Sequence, residues 1–169
     1  MAEIGIFYGS TSGYTGKVAQ MIAEALGQER CEVVNMEDFG DFDEMLEFDK
    51  LLIGSATWGQ GEIQNDWRDP MMELEEYDFS GKTVAFFGTG DHKTHGEHFC
   101  SALKLLYDAF KAQGASCVGA ISTDGYTYEE SLAAQDGTFL GLAVDEVNEA
   151  DKTPERLTRW LESIKPYFV

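Results

Sequence analysis

Three times in this chain a short apolar run ends in small, flexible residues and gives way to an amphipathic stretch. Ile4, Ile6, Phe7 and Tyr8 run into G-S-T-S-G-Y-T-G, Leu51 to Ile53 run into G-S-A-T-W-G-Q-G, and Thr83 to Phe87 run into G-T-G-D. Runs that are apolar at consecutive positions suit strands buried on both faces. A strand, a loop and a helix repeated in that order argue for a parallel sheet covered by helices on both sides. Such sheets bind ligands beyond the carboxyl ends of their strands, so the three Gly-rich loops are expected to gather at one edge.

The remaining elements fit that scheme. Val18, Met21, Ile22, Ala25 and Leu26 recur at helical spacing before Gly27, and Cys31 to Asn35 forms a short second strand. An acidic, turn-rich connection spans Met36 to Asp49, and a helix is predicted from Asp66 or Asp69 to Glu76 with Pro70 in its first turn. Phe99, Leu103, Leu106, Tyr107 and Phe110 mark another helix, ended by Gly114. Val118 to Ile121 begins a fifth strand, which residues 122–138 interrupt before the apolar run returns at Phe139 to Val144. Thr153 as N-cap and Pro154 open the final helix, with Leu157, Trp160, Leu161 and Ile164 as its buried stripe.

The length of 169 residues suits a single domain covering 1–169. With 31 acidic against 12 basic side chains the formal charge is -19, which excludes nucleic acid as a partner and favours basic proteins. Cys31, Cys100 and Cys117 are too few and too scattered for a secreted disulfide framework, which points to a reducing cytoplasm. No apolar run approaches the ~20 residues that cross a bilayer, so no membrane partner is expected.

The first loop carries Ser10, Thr11, Ser12 and Thr15 around Gly13 and opens a helix, an arrangement that collects backbone N–H groups for a phosphate. It is not a Walker loop, because Thr11 stands where the first glycine is needed and Val18 where Ser or Thr is needed. Neither this loop nor the third has the G-x-G-x-x-G spacing of a dinucleotide site. A single terminal phosphate, held by hydroxyls, amides and the helix dipole without a basic clamp, is what remains. Trp58, between Ala56, Thr57, Gly59 and Gly61, is placed to cover a planar ring, and the peptide at Gly59 can reverse at low cost. The third loop holds Asp91, His92, His95, Glu97 and His98; loop histidines beside carboxylates are more often solvated than metal-bound, so no metal is expected.

Taken together, G-S-T-S-G-Y-T at 9–15, A-T-W-G-Q-G at 56–61, F-G-T-G-D at 87–91, S-T-D-G-Y at 122–126 and F-L-G-L-A-V-D at 139–145 resemble the flavodoxins of the long-chain type. The resemblance implies a three-layer αβα sandwich whose five-stranded parallel sheet has the order 2-1-3-4-5, with the last strand split by the long-chain insertion. It implies a non-covalent FMN and low-potential, one-electron transfer between redox proteins, without substrate turnover of its own. By the same carry-over Ser10, Thr11, Ser12, Gly13, Tyr14 and Thr15 hold the phosphate. Ala56, Thr57, Trp58, Gly59 and Gly61 flank the ring, and Thr89, Gly90 and Asp91 meet its pyrimidine edge, with His95 and His98 in the same loop. The implied partners are a flavodoxin/ferredoxin reductase-type donor and an acceptor enzyme or photosystem with basic surfaces, meeting a monomer. Glu62, Asp66, Asp145 and Glu146 are expected to steer them, and the insertion's Tyr126, Tyr128, Glu129 and Glu130 to lie on the surface. An NAD(P)H:quinone reductase shares this fold and stands as the alternative; a receiver domain lacks its acidic cluster here.

Two residues depart from the family pattern. His95 occupies the place where long-chain members usually carry a tyrosine over the outer flavin face. It can act as a plain stacking plane or, protonated, stabilise the anionic reduced ring, raising the potential as pH falls. Gly59 stands where asparagine is common and eases a peptide flip toward the flavin N(5)–H.

Overall fold

In the computed structural model, residues 2–10, 13–58 and 61–168 are described, apart from the side chain of Trp58. The sheet consists of β1 (Ile4–Gly9), β2 (Cys31–Asn35), β3 (Lys50–Trp58), β5 (Thr83–Thr89) and a fifth strand in two pieces, β6 (Ser116–Val118) and β10 (Leu142–Val144). Their order is β2-β1-β3-β5-β10, and all of these pairings are parallel. The fold is therefore the flavodoxin-like α/β sandwich expected. A short β4 (Glu62–Ile63) folds back on the end of β3.

Consecutive strand residues point to opposite faces, so each strand feeds two cores. Phe86 meets Phe110 of α4 (Ala102–Ala112), whereas its neighbour Phe87 meets Trp160 of α5 (Thr153–Phe168). Phe7 packs on the first of these faces against Phe39 and Phe48, and Tyr8 on the second against Gly16 of α1 (Tyr14–Leu26). Phe42, Phe79, Phe110 and Trp67 close the first face as a chain of edge-on aromatic contacts, each adding about 1 kcal/mol to simple burial.

Several boundaries differ from the sequence reading. The acidic connection contains α2 (Phe42–Leu46), whose N-cap Asp41 accepts the Glu44 N–H and whose Phe42 and Met45 are buried. The predicted helix at 66–76 is a one-turn 3-10 helix at Asn65–Trp67, then α3 (Arg68–Glu73), then a second 3-10 turn. It is anchored by Trp67, whose Nε1 donates to the Gly54 carbonyl at 2.9 Å. The fourth α-helix begins at Ala102 rather than Phe99, because Cys100 takes a positive φ of 52°. Thr153 is inside its helix and not the N-cap, its hydroxyl donating instead to Glu146.

The fifth strand also changes. β6 pairs with the first half of β5 and β10 with the second, so residues 119–141 form the insertion. Ile121 and Phe139 belong to that insertion, where β7 (Ile121–Ser122), β8 (Ala134–Gln135) and β9 (Thr138–Phe139) make a small antiparallel sheet. Tyr126 and Tyr128 are not surface residues free for a partner. Both pack on Phe99 and Phe139, and the Tyr126 ring lies 3.8 Å from the Arg156 guanidinium.

Candidate functional site

Parallel register brings the loops together. Ala56 lies opposite Thr89, and Thr89 in turn opposite Val144, so the ends of β3, β5 and β10 form one edge. The order reverses between β1 and β3, which opens a crevice where the first two loops diverge.

The first loop enters α1 through Gly13, whose φ of 91° lies in the left-handed region. A glycine N-cap brings no side chain to the helix end, and its own N–H is bound by Ser10 Oγ at 3.0 Å. Among the described residues no side chain caps the first turn of α1, so its amides can serve an external acceptor, aided by the positive end of the helix. Thr15 is fully buried and its hydroxyl meets that of Thr89 at 2.8 Å, tying the first loop to the third. Thr11, Ser12 and Gly59 lie outside the described residues, and Trp58 is placed only as the last residue of β3, opposite Glu62.

Tyr14, Ala56, Thr57, Thr89, Gly90, Asp91 and His95 line one open cleft of about 160 Å³. Each of these was singled out from the sequence. Glu146, expected near the flavin edge as a steering charge, and Val147, not singled out, complete the lining; the signal for Val147 is its position just after the last strand. Gly61 and His98 sit behind the second loop instead, where a Cβ on Gly61 would lie 3.5 Å from His98 Nδ1. Thr57 Oγ1 accepts the Ala102 N–H at 3.0 Å, fixing the second loop to the start of α4.

A hydrogen-bonded junction supports the third wall. Asp91 Oδ1 accepts from the N–H groups of Lys93 and Thr94 and from Asn148 Nδ2 at 2.7 Å. Burial pushes the Asp91 carboxyl up, but these donors outweigh it and hold the group below its ordinary value. Asn148 Nδ2 also reaches Asp145 Oδ2 at 3.0 Å, and Asp145 further accepts the backbone and ring N–H of His92 and the backbone N–H of Val147 and Asn148. Asp145 is completely buried and its pKa too is lowered, desolvation being overcome by the Asn148 and His92 bonds. It is therefore an internal strut, not the steering charge expected. Glu146 is likewise buried, its carboxylate taken by Lys17 Nζ at 2.9 Å and by Thr153.

His92, Asp145 and Glu149 place ligand atoms within 4.8 Å of one another. Those atoms are already engaged, since Glu149 holds Lys152 at 2.7 Å and Arg156 at 3.2 Å, and two cations there oppose a metal ion. Cys100, buried, has its thiol pushed far up by desolvation, and Cys117 is pushed up to about 11 for the same reason. Neither supplies a thiolate.

A doubly wound parallel sheet with a Gly- and hydroxyl-rich loop entering a helix, and a cleft where its strand order reverses, defines the class: a mononucleotide-binding α/β protein. Comparisons with known proteins narrow it. The family model described as Flavodoxin matches residues 6–160. Flavodoxin 1 of Azotobacter vinelandii is 61% identical over 100% of this chain and 99% of its own length, and Flavodoxin 1 of Escherichia coli 42% identical over 97% and 93%. The crystal structure of Fusobacterium nucleatum flavodoxin bound to flavin mononucleotide superposes with a TM-score of 0.91 at 36% identity, covering 100% of both chains. The chain belongs to the flavodoxin family.

Proposed function

We propose that residues 1–169 form one FMN-binding domain and that the protein is a low-potential one-electron carrier between redox proteins, not an enzyme with a substrate of its own. The observation that carries this reading is the cleft itself, which sets Tyr14, the first residue of α1, beside Ala56, Thr57, Thr89, Asp91 and His95 from the ends of β3 and β5. The residues fit the group: among the described residues no side chain caps the start of α1, a Cβ on Gly13 would meet only open space, and no lysine or arginine lines the cleft.

In this reading Ser10, Thr11, Ser12, Gly13, Tyr14 and Thr15 hold the phosphate. Thr57, Trp58 and Gly59 flank the ring, Thr89, Gly90 and Asp91 meet its pyrimidine edge, and His95 covers the outer face. The bound flavin supplies all the redox chemistry. The chain's residues orient it, exclude water from one side and bias its charge: Asp91 keeps a carboxylate in the wall, and the net charge of -19 opposes adding an electron that leaves the ring anionic. A low potential for the second electron follows.

Redox partners follow from the carrier role. Basic partner surfaces suit the acidic exterior, and the exposed rings and methyls of Tyr14 and Val147 at the cleft rim offer them an apolar contact. No helix among the described residues is long and apolar enough to cross a membrane. The three free thiols, Cys100 buried and Cys31 and Cys117 partly so, suit the reducing cytoplasm, where the carrier acts as a monomer in this reading. Stepwise chemical reduction of the purified yellow protein tests the proposal: a blue one-electron-reduced state should accumulate, and NAD(P)H alone should not bleach it. Rapid bleaching by NAD(P)H would favour a quinone-reducing enzyme.

A further inference from the structure

The first basic residue of the chain, Lys17, stands one turn into α1, directly after the phosphate loop, and no other Lys or Arg precedes Arg30. A long, exposed lysine there could swing over the loop and clamp an anion. Its ammonium is instead engaged by a carboxylate. Its ammonium lies 2.9 Å from Glu146 Oε1, the side chain of Lys17 being 62% exposed and that of Glu146 only 2%. The second oxygen of Glu146 accepts the hydroxyl of Thr153, so the carboxylate is fixed from the start of α5 and cannot follow the lysine elsewhere. Glu146 also lines the cleft beside Tyr14, Thr89 and Asp91. A buried anion on the cleft wall is thus neutralised by a lysine of α1 that also lines the surface beside Ser10 and Gly13, and the contact occupies its ammonium.

We infer that the Lys17–Glu146 pair is a charge lock on the phosphate end of the cleft, and that Glu146 is a specificity-determining residue setting the affinity for phosphorylated against unphosphorylated flavin. The inference rests on the FMN reading above. Without the lock two opposite errors are open. Losing the carboxylate frees a lysine to reach the phosphate, while losing the lysine leaves a bare carboxylate facing it. Both act on the phosphate dianion, so both should pass over riboflavin, which has the ring and no phosphate.

Dissociation constants of the apoprotein for FMN and for riboflavin, read from quenching of flavin fluorescence, test this. Glu146→Gln keeps an acceptor for Thr153 and should bind FMN about fivefold more tightly at low salt, the size of one unit charge approaching a dianion through a water-like dielectric. The gain should fade as salt is raised. Lys17→Met should weaken FMN by a similar factor, the double variant should return near wild type, and riboflavin should bind all four proteins alike. Unchanged FMN affinity in Glu146→Gln, or equal losses for both flavins, would overturn the lock and make the pair merely structural. A wild-type protein that binds neither flavin would overturn the lock together with the FMN reading, and the riboflavin arm separates the two cases.

Discussion

Replacing Asp145 with asparagine exchanges one buried acceptor for a donor in a ring of donors. The new side chain can keep its oxygen on the N–H groups of Val147 and Asn148, at 3.1 and 2.9 Å in the native junction. Its NH₂ then faces the His92 N–H and Asn148 Nδ2, both at 3.0 Å from the native Oδ2, and the His92 ring Nδ1. The imidazole Nδ1 can accept from the new NH₂ by changing tautomer, but the other two donors lose their acceptor at about 1–3 kcal/mol each, part of which relaxation recovers, so about 3 kcal/mol of stability should disappear. In urea that corresponds to a midpoint lower by about 1 M for a chain of this size. The pH dependence has a definite sign. The folded pKa of Asp145 is depressed, so its contribution is complete above the ordinary carboxylate value and is lost as pH falls through the folded one. The deficit of Asp145→Asn should be full at neutral pH and shrink below about pH 4. Urea unfolding of the apoprotein, followed by far-ultraviolet circular dichroism at both pH values, measures it. A neutral-pH difference under about 0.5 kcal/mol, or a deficit that grows on acidification, would refute the assignment of Asp145 as an ionised strut.

Other predictions address single contacts. Gly141→Ala would place a Cβ 2.3 Å from the Phe86 carbonyl oxygen, so about 3 kcal/mol should be lost in the same urea assay. Thr15→Val keeps the shape but breaks the 2.8 Å bond to Thr89; about 1 kcal/mol of stability should go, and FMN should bind more weakly by fluorescence titration. His95→Tyr should flatten the pH dependence of the second-electron potential between pH 5 and 8, measured by spectroelectrochemistry; identical slopes would leave His95 a stacking plane only. Electron transfer to a basic haem protein should slow steeply with ionic strength in stopped-flow measurements, given the charge of -19, and a flat response would remove electrostatic steering.

The sheet was legible because buried parallel strands are apolar at every position, a pattern few other elements share. Ile4–Gly9, Lys50–Trp58 and Thr83–Thr89 appear where the apolar runs put them. The helix at Phe42–Leu46 was missed because two buried residues sit in an acidic stretch that reads as a turn, although Asp41 and Glu44 have the spacing of a helix start. The split of the last strand was visible, but not which apolar residues belong to it. Ile121 and Phe139 pair with each other in the insertion, a choice between two sheets to which periodicity is blind.

The cleft divides along the same line. Tyr14, Ala56, Thr57, Thr89, Gly90, Asp91 and His95 could be gathered from the sequence, because loop composition is local and a parallel sheet sends such loops to one edge. The burial of Asp145 and Glu146 could not. A carboxylate in sequence looks the same whether it faces water or an internal donor. Asp145 is an internal strut because His92, 53 residues earlier, lies beside it, and Glu146 is a neutralised wall because α1 brings Lys17 to it. Strand, loop and ligand class follow from residues close together in the chain, whereas the charge state of the cleft depends on contacts that exist only after β10 and α5 have closed over the third loop.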